Sequence, residues 1–306
     1  MSLERLRTGP FPRSIIKLDT MKADVYKMVT DRIVEQMNNG IIPWRRPWHG
    51  AVGMENVAIS YTTRRAYSLI NQYLLGDAGE YLTYNQIQKL GGKVKKGAKS
   101  KFVVFFEKIQ YTKQNEETGE DELHTYPLLK YYNVFHLSDT EGIESKIVEG
   151  EKVEIESDAD ADKIIADYVA RTGLTFHNDK PSSRAYYCPS SDTVVVPMLN
   201  QYDKVGEYYS TTFHELTHST MKKDRCDREA DNKMAAFGSA DYSREELVAE
   251  IGSAYLCNAT GIETEQTFKN SVAYLQSWIA ALKNDNKMIV WAASRAEKAA
   301  NFILNK

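Results

Sequence analysis

The sequence predicts an α+β protein, with a small α+β domain first and a mostly helical domain with a short β-sheet second. Two runs rich in aromatic and β-branched residues in the front half indicate neighbouring strands. Apolar residues at helical spacing recur in the front half and dominate the back half. Residues 146–158 are acidic and poor in core residues, which is typical of a linker. The predicted domains are therefore 22–145 and 159–306.

Helices and strands are mixed in the front half. The first helix is predicted to end at Asn39-Gly40, and Thr83 is a good N-cap for the third. The polar segment 113–125 is typical of a hairpin tip or an insertion. The predicted elements are helices at 23–38, 68–75 and 83–91 and strands at 102–111 and 128–137.

The back half is predicted to be mainly helical. A short pair of strands interrupts it, joined by the turn Pro189-Ser190-Ser191-Asp192. The last segment, from Phe268 onward, is predicted to be helical throughout. The predicted elements are helices at 160–172, 204–221 and 243–259 and strands at 185–188 and 193–196.

Charge is distributed unequally along the chain. Of the 39 Lys and Arg residues, 18 lie in residues 1–110, where only 9 of the 42 Asp and Glu residues lie. The net charge of −3 therefore hides a basic front half and an acidic back half. A basic surface attracts polyanions, so nucleic acid is a candidate partner.

Cysteine content and hydropathy indicate the cellular environment of the protein. The three cysteines are far apart and form neither a disulfide framework nor a CxxC metal site. They indicate a reducing, cytoplasmic environment. No apolar run is long enough to span a bilayer, so no membrane partner is expected.

The motif that carries most chemical information is His214-Glu215-Leu216-Thr217-His218. Histidines four positions apart project from one face of a helix and can bind one tetrahedral Zn²⁺. Glu215 then lies beside the metal, where it can take a proton from a bound water. Three protein ligands would leave a position open for that water, as in catalytic zinc sites. The sequence thus predicts zinc as the cofactor, with an ordinary helix bearing two core histidines as the alternative.

The third ligand is predicted to be a carboxylate, because His218 is the last histidine in the chain. Glu246 and Glu250 share a helix face among small residues that permit close packing of another helix. The pattern resembles that of gluzincins, where one acid binds zinc and an acid one turn later orients a histidine. The resemblance implies that Glu246 is the ligand and that Glu250 orients His214. A capping box that engages Glu246 would instead promote Glu250 to ligand.

Other residues near the motif have less defined roles. Glu245 lies on another face of its helix and is predicted to be solvated. Tyr242 and Tyr255 are alternative sources of electrophilic assistance, and either could belong to the core. The strand pair within 185–196 precedes the motif helix, as does the edge strand that binds extended peptide in zincins. A supporting hairpin is the equal alternative.

Basic and aromatic residues are interleaved in the front half. Proteins that bind single strands combine a positive groove for phosphates with ring faces on which bases stack. Flexible lysines in 91–101 would add affinity without sequence preference. The alternative is that the rings pack into the core. The predicted DNA-binding residues are Trp44, Arg45, Arg46, Trp48, Arg64, Arg65, Lys93, Lys95, Lys96 and Lys99.

Several long segments resemble ArdC-type antirestriction proteins. Their N-terminal domain, itself similar to plasmid TraC-type primases, is matched by segments 26–48, 81–100 and 131–143. Their zincin-like metallopeptidase domain is matched by FHELTHST and REELVAEIGSAYLC. The resemblance covers about residues 22–303. It implies single-stranded DNA binding in front, a metallopeptidase fold behind, and protection of incoming mobile DNA from restriction.

Besides a free protease with an incidental basic domain, which tight binding of single-stranded DNA would exclude, two functions are compatible with these features. The first is a DNA-tethered zinc metallopeptidase that cleaves a protein met on DNA, such as a restriction enzyme. The second is a non-enzymatic single-stranded DNA-binding antirestriction protein whose metal only holds the fold. The substitution Glu215→Gln separates them, because it removes the base and leaves the predicted ligands in place.

Overall fold

The structure is a computed structural model that describes residues 24–39, 41, 43–45, 57–114, 121–147, 157–202, 204–228, 240–262 and 271–306. It is an α+β fold, which confirms the predicted class. The helices are α1 (Val25–Asn38), α2 (Leu69–Leu75), α3 (Tyr84–Lys89), α4 (Ser157–Thr172), α5 (Val205–Ser219), α6 (Ala240–Ala259), α7 (Ser271–Asn284) and α8 (Met288–Ile303). The strands are β1 (Ala58–Ser60), β2 (Gly79–Leu82), β3 (Lys93–Val94), β4 (Lys101–Gln114), β5 (Asp121–His136), β6 (Thr140–Glu141), β7 (Thr175–His177), β8 (Tyr186–Cys188) and β9 (Thr193–Val195).

The front half is built on a four-stranded sheet in the order β1-β2-β5-β4. Strands β1 and β2 are parallel, and the other two pairs are antiparallel. The predicted helices are present, and their ends follow the expected capping chemistry. The side chain of Asp24 accepts from the Lys27 amide, and Thr83 forms a reciprocal capping box with Gln86.

The β4–β5 hairpin is much longer than the sequence indicated. Its register runs without interruption from the pair Lys101–Val134 to the pair Gln114–Asp121. The segment 113–125 thus belongs to a hairpin, as predicted, but residues 113–114 and 121–125 are strand, so the strands extend farther into it than the sequence indicated. The segment has no apolar face of its own, so pairing across the hairpin, rather than burial, places it in the sheet.

The back half joins a three-stranded sheet to the helices. The sheet has the order β7-β9-β8, in which β7 and β9 are parallel and β8 and β9 are antiparallel. The predicted pair is confirmed as β8 and β9, whereas β7 was not foreseen. The single helical segment predicted from Phe268 onward contains two helices, α7 and α8, which are separated at Asp285–Lys287.

The two halves share a hydrophobic core. Buried residues of α1 and α2 pack with buried residues of α6, α7 and α8 in one cluster. Glu297 of α8 also accepts a hydrogen bond of 3.3 Å from the amide of Leu69, at the start of α2. The α2 helix thus depends on the back half for its N-terminal hydrogen bond. The predicted linker lies largely outside the described residues.

None of the helices in the described ranges is long and apolar enough to cross a membrane.

Candidate metal centre

Helices α5 and α6 pack closely and carry the candidate site between them. A Cβ atom at Gly252 would lie 2.6 Å from Cγ2 of Thr217, so this contact requires glycine. One residue later, the hydroxyl of Ser253 donates to the carbonyl oxygen of Ser210 at 2.7 Å. The small residues of α6 therefore allow the close helix packing that the sequence predicted, and this packing brings Glu246 to the histidine helix.

Three side chains converge where these helices meet. His214, His218 and Glu246 offer donor atoms that all lie within 4.8 Å of one another. The Nε2 atoms of the two histidines are 3.1 Å apart. Oε2 of Glu246 lies 3.5 Å from Nε2 of His214, and Oε1 lies 3.5 Å from Nε2 of His218.

These separations fit a single divalent cation. Two donors held about 2.0–2.1 Å from one tetrahedral zinc ion lie about 3.3 Å from each other. The observed separations between donor atoms, 3.1 and 3.5 Å, lie on either side of that value. A set of two imidazoles and one carboxylate is also a common donor set of catalytic metal sites. The residues present therefore fit the predicted metal.

Glu245 has a role that the sequence analysis did not foresee. Its carboxylate is 4% exposed and lies 3.4 Å from Nδ1 of His218, on the side away from the donor cluster. Arg228 binds the same carboxylate through two nitrogens, at 2.7 and 3.2 Å. The prediction that Glu245 is solvated was therefore wrong. The missed signal was long-range, since Arg228 lies in the segment after α5, 17 positions away.

The segment after α5 also secures the C-terminal end of that helix. Arg228 donates to the carbonyl oxygen of Thr217 at 3.0 Å, and Arg225 donates to that of Ser219 at 2.8 Å. Cations at a helix C-terminus satisfy free carbonyl groups and oppose the negative end of the helix dipole. His218 is thus held in the last turn of a firmly capped helix.

The charges of the cluster are strongly coupled. Burial would lower the pKa of His218, but its contacts with the carboxylates of Glu245 and Glu246 outweigh burial and raise that pKa to about 10. Burial would raise the pKa of Glu246, but its contacts with the two histidines hold that pKa far below its usual range. A cation that enters the site must therefore displace a proton from His218.

Glu215 lies beside the cluster in a largely dry environment. It is 9% exposed, and burial raises the pKa of its carboxyl group against the opposing effect of the two histidines. The backbone of Tyr187, in strand β8, lies close enough to this carboxylate to lower its pKa slightly, the last of the influences on it. The edge strand of the small sheet therefore lies beside the candidate base.

Glu250 and the two candidate tyrosines have no role assigned by these contacts. Glu250 follows Glu246 by one turn on α6, is partly exposed and does not belong to the converging group, so its role as a positioning acid stays a prediction. The side chain of Tyr242 lies outside the described residues, and Tyr255 packs against the core. Tyr202 was not foreseen. Its hydroxyl group hydrogen-bonds Thr211, one turn before Glu215, and its pKa is raised by burial and, to a smaller extent, by the charge of Glu215.

The candidate DNA-binding residues have divergent environments. Trp44 is 1% exposed within the shared core, so its ring has no free face for a base, and the packing alternative is correct. Arg46, Trp48 and the side chain of Arg45 lie outside the described residues. The four lysines predicted to bind DNA are all exposed, although Lys93 belongs to strand β3 and Lys95 donates to the carbonyl oxygen of Ser138 at 2.7 Å. The exposed lysines are Lys93, Lys95, Lys96 and Lys99.

The adjacent residues Arg64 and Arg65 also differ in their surroundings. Arg64, which has a positive φ of 57°, directs its guanidinium group to the carboxylate of Glu80, which is 2% exposed. That carboxylate also accepts from the hydroxyl of Ser145 at 2.7 Å. Arg64 therefore neutralises a buried acid, which limits its availability to a phosphate. Arg65 is exposed.

Known proteins match the chain over nearly its whole length. The model of the N-terminal domain of anti-restriction factor ArdC matches residues 23–135, and that of a zincin-like metallopeptidase matches residues 161–295. The metal-free crystal structure of the antirestriction ArdC protein from the R388 plasmid is 33% identical. That match covers 92% of this chain and 97% of the ArdC chain, with a TM-score of 0.69. The chain belongs to the ArdC family.

A second structure of the same ArdC protein and one further relative are also similar to this ArdC-family chain. The Mn(II)-bound structure of the R388 ArdC protein is 32% identical, with a TM-score of 0.70, and the match covers 92% of this chain and 98% of that one. The DNA primase TraC of Escherichia coli is 30% identical over 93% of this chain. The match covers 27% of TraC, so the chain spans about a quarter of the length of that relative. The resemblance stated from the sequence is thus confirmed.

Proposed function

We propose that this protein is an antirestriction protein that binds single-stranded DNA through its front half and hydrolyses peptide bonds at a metal site in its back half. The observation that carries the peptidase proposal is the convergence of His214, His218 and Glu246 beside a buried Glu215. The proposed metal ligands are those three residues. The proposed general base is Glu215.

Zinc is the cation we propose, because two imidazoles and one carboxylate are the ligands of many catalytic zinc sites. Manganese is the alternative, since an ArdC relative has a Mn(II)-bound structure. A divalent cation held here would supply Lewis acidity to a carbonyl oxygen and acidity to a water molecule. Comparison of zinc and manganese affinity by titration of the metal-free protein tests this choice.

The protein residues provide the acid–base chemistry. The carboxylate of Glu215 takes a proton from the attacking water and passes it to the leaving amine nitrogen. A base whose pKa is raised by burial is better matched to neutral pH than an exposed carboxylate. The backbone of Tyr187, which lies beside that carboxylate, places strand β8 next to the proposed base.

Strand β8 is the element we propose for binding an extended peptide. It is at the edge of its sheet, paired on one side with β9. Its backbone lies against Glu215 through Tyr187, so a peptide added along this edge passes the proposed base. Backbone hydrogen bonds recognise any extended sequence, which suits a protein substrate.

DNA binding is proposed for the front half. Its excess of basic residues and the exposed lysines of 93–99 support attraction of phosphates. The similarity to a DNA primase over most of the chain supports nucleic acid as the polyanion. We expect a labelled single-stranded oligonucleotide to bind with an affinity that falls steeply as salt rises.

The substitution Glu215→Gln tests whether hydrolysis is needed for the biological function. We expect the variant to retain metal, lose peptide cleavage, and lose protection of unmodified DNA during transfer into a restricting host. Metal content is measured by elemental analysis, and protection is measured as transfer efficiency relative to a non-restricting host. Glu207→Gln, in the first turn of the same helix, is the matched control and should preserve all three properties.

The same experiment decides against the alternative function. If Glu215→Gln retains metal and protects DNA as well as the unaltered protein, the peptidase activity has no part in antirestriction. The site would then be a structural metal centre in a non-enzymatic DNA-binding protein, which is the second hypothesis drawn from the sequence.

A further inference from the structure

The β4–β5 hairpin carries exposed aromatic rings on both of its faces. Phe105 and Tyr132 are 41% and 38% exposed, and Phe106 and Tyr131 are 50% and 42% exposed. Successive residues of a strand point to opposite sides of the sheet. Because Val103 pairs with Tyr132, the rings of Phe105 and Tyr132 share one face, and their centroids are 5.5 Å apart.

The face of Phe105 and Tyr132 continues into a cleft of about 430 Å³. That volume lies in the range of small-ligand sites. The cleft is lined by hydroxyl groups, a carboxamide, one guanidinium group and two tyrosine rings. The polar and aromatic residues that line it include Thr62, Thr63, Arg65, Tyr67, Gln86 and Tyr132.

The tyrosines at the junction lie side by side. Tyr67 and Tyr132 both line the cleft, and burial followed by the nearby Tyr132 hydroxyl raises the pKa of Tyr67. The Tyr67 ring also packs edge-to-face on the buried ring of Tyr81, at 6.3 Å between centroids. Rings that are held before a ligand arrives lose little conformational entropy when it binds. The surface is therefore suited to stacking.

The charge of this surface suits a polyanion. No acidic residue lines the cleft among the residues that the structure describes. Arg65 is exposed there, whereas its neighbour Arg64 is engaged with the buried Glu80. On the hairpin face, the carboxylate of Glu107 is paired with the ammonium group of Lys130. Arg65 belongs to none of the described ion pairs, so its guanidinium group can contact a phosphate.

We propose that Phe105 and Tyr132 form the base-stacking surface of this protein, and that Arg65 binds a backbone phosphate of the same single strand at the adjoining cleft. The occupant is single-stranded DNA, because ring faces are accessible only to unpaired bases. The hydroxyl and carboxamide groups of the cleft can donate and accept hydrogen bonds from a base or sugar. This inference rests on the proposed DNA-binding function and replaces the buried Trp44 as its aromatic element.

The test compares residues that are adjacent in sequence but lie on opposite faces. Binding of a fluorescein-labelled oligodeoxythymidine is measured by anisotropy for Phe105→Ala and Tyr132→Ala. Loss of a stacked base should weaken binding by about 5- to 100-fold in each case. The matched controls Phe106→Ala and Tyr131→Ala remove similar exposed rings and should stay within about twofold of the unaltered protein.

Salt dependence tests the phosphate contact separately. Arg65→Gln should lower the slope of log affinity against log salt by about one. Lys108→Gln removes an exposed charge from the opposite face of the hairpin and should leave that slope unchanged. Circular dichroism and thermal melting of each variant establish that the fold is intact.

Cross-linking of the unaltered protein gives a readout that does not depend on variants. An oligonucleotide with 5-iododeoxyuridine should cross-link on irradiation at Phe105 or Tyr132, with the linked residue located by fragmentation of the cross-linked peptide. Cross-links confined to Phe106 or Tyr131 overturn the assignment while DNA binding itself stands. So does binding by the Phe105 and Tyr132 variants that equals that of the unaltered protein. If the unaltered protein does not bind the oligonucleotide, the proposed DNA-binding function fails and this site fails with it.

Discussion

Arg228 binds the carboxylate of Glu245 through two nitrogens, and that carboxylate lies 3.4 Å from Nδ1 of His218. The opposite ring nitrogen of His218 faces Glu246 at 3.5 Å. A carboxylate behind a metal-binding histidine fixes the ring orientation and strengthens the histidine as a ligand. The contact with His218 and the charge of Arg228 together outweigh burial and lower the pKa of the Glu245 carboxyl group.

Glu245→Gln should weaken metal binding without removing a proposed ligand. The amide keeps the size of the side chain but loses the charge that polarises His218, and such outer partners contribute about 10- to 100-fold to metal affinity. The variant should also unfold more easily, because the buried guanidinium of Arg228 loses its charged partner. Metal affinity is measured by competition with a chelator, and stability by urea denaturation.

Arg244→Gln is the control for this prediction. Arg244 lies next to Glu245 on α6 but forms an ion pair of 2.6 Å with Asp285, in a partly exposed position. Loss of this pair should leave metal affinity unchanged. Equal loss of affinity in both variants would mean that general loosening of α6, rather than polarisation of His218, explains the effect.

The parts of the fold that the sequence predicted are those with strong local signals. The amphipathic helices α1 and α5 and the capped helix α3 lie within a few residues of their predicted limits. Strands β1, β2 and β7 were missed because strands of three or four residues carry little periodicity, whereas the equally short β8 and β9 were found through the turn that joins them. Their identity comes from pairing, as in the parallel register of Ala58 with Gly79.

The candidate site, too, could be predicted only where its residues are close together in the sequence. His214 and His218 could be placed together from their spacing alone, because one turn of helix separates them. The choice among Glu245, Glu246 and Glu250 depends on the rotation of α6 about its axis, and the contact of Gly252 with Thr217 sets that rotation. No local pattern reports such a contact, so the burial of Glu245 could not be anticipated.

Gly252→Ala should separate α5 from α6. The new methyl group would lie 2.6 Å from Cγ2 and 2.8 Å from Oγ1 of Thr217, so one helix has to move. Overpacking of this kind costs about 1–3 kcal/mol of unfolding free energy. Metal affinity should fall as well, because Glu246 and the histidines lie on opposite sides of this contact. Urea denaturation and chelator competition measure the two effects.

A second substitution distinguishes overpacking from a change in helix propensity. Thr217→Ala removes both atoms that the new methyl group meets, so the double variant should recover part of the lost stability and metal affinity. If Gly252→Ala alone were as stable as the unaltered protein, the helices would not be in the contact described. Alanine has a higher helix propensity than glycine, so a loss of stability in Gly252→Ala can only come from the steric contact.

Asp192→Asn should lower stability at neutral pH and not at low pH. Asp192 accepts from Arg225 at 2.6 Å and Lys222 at 3.1 Å, and these contacts prevail over burial to lower the pKa of its carboxyl group. A carboxyl group whose pKa is lower in the folded than in the unfolded protein stabilises the fold fully when the pH is above its unfolded pKa of about 3.9. That stabilisation is lost as the pH falls through the lowered pKa of the folded protein. At pH 7 the variant should lose about 2 kcal/mol.

Thermal melting of both proteins across the acid range checks this sign. Asparagine accepts the positive φ of 50° at this position, so the substitution tests charge rather than backbone strain. The difference in melting temperature should close as pH falls below about 4. A difference that stayed constant with pH would contradict an ionic origin.

Cys188 should be the reactive cysteine of the protein. Hydrogen bonds from the side chains of Ser190 and Ser191 lower the pKa of its thiol to about 7, and its Sγ lies 3.3 Å from Oγ of Ser190. Burial instead raises the pKa of Cys226, and Cys257 is 1% exposed. Since the thiolate is the nucleophile, alkylation of the native protein should modify Cys188 first.

The pH dependence of that reaction identifies its cause. The rate of alkylation by iodoacetamide, followed by mass spectrometry of the modified peptide, should rise with a midpoint near pH 7. An unperturbed thiol has a midpoint of about 8.5. Ser190→Ala removes one donor, so the midpoint should move up toward that value while the thiol stays accessible. A midpoint that is the same in both proteins would show that the Ser190 hydroxyl does not stabilise the thiolate, and the low value would then need another source in the β8–β9 turn.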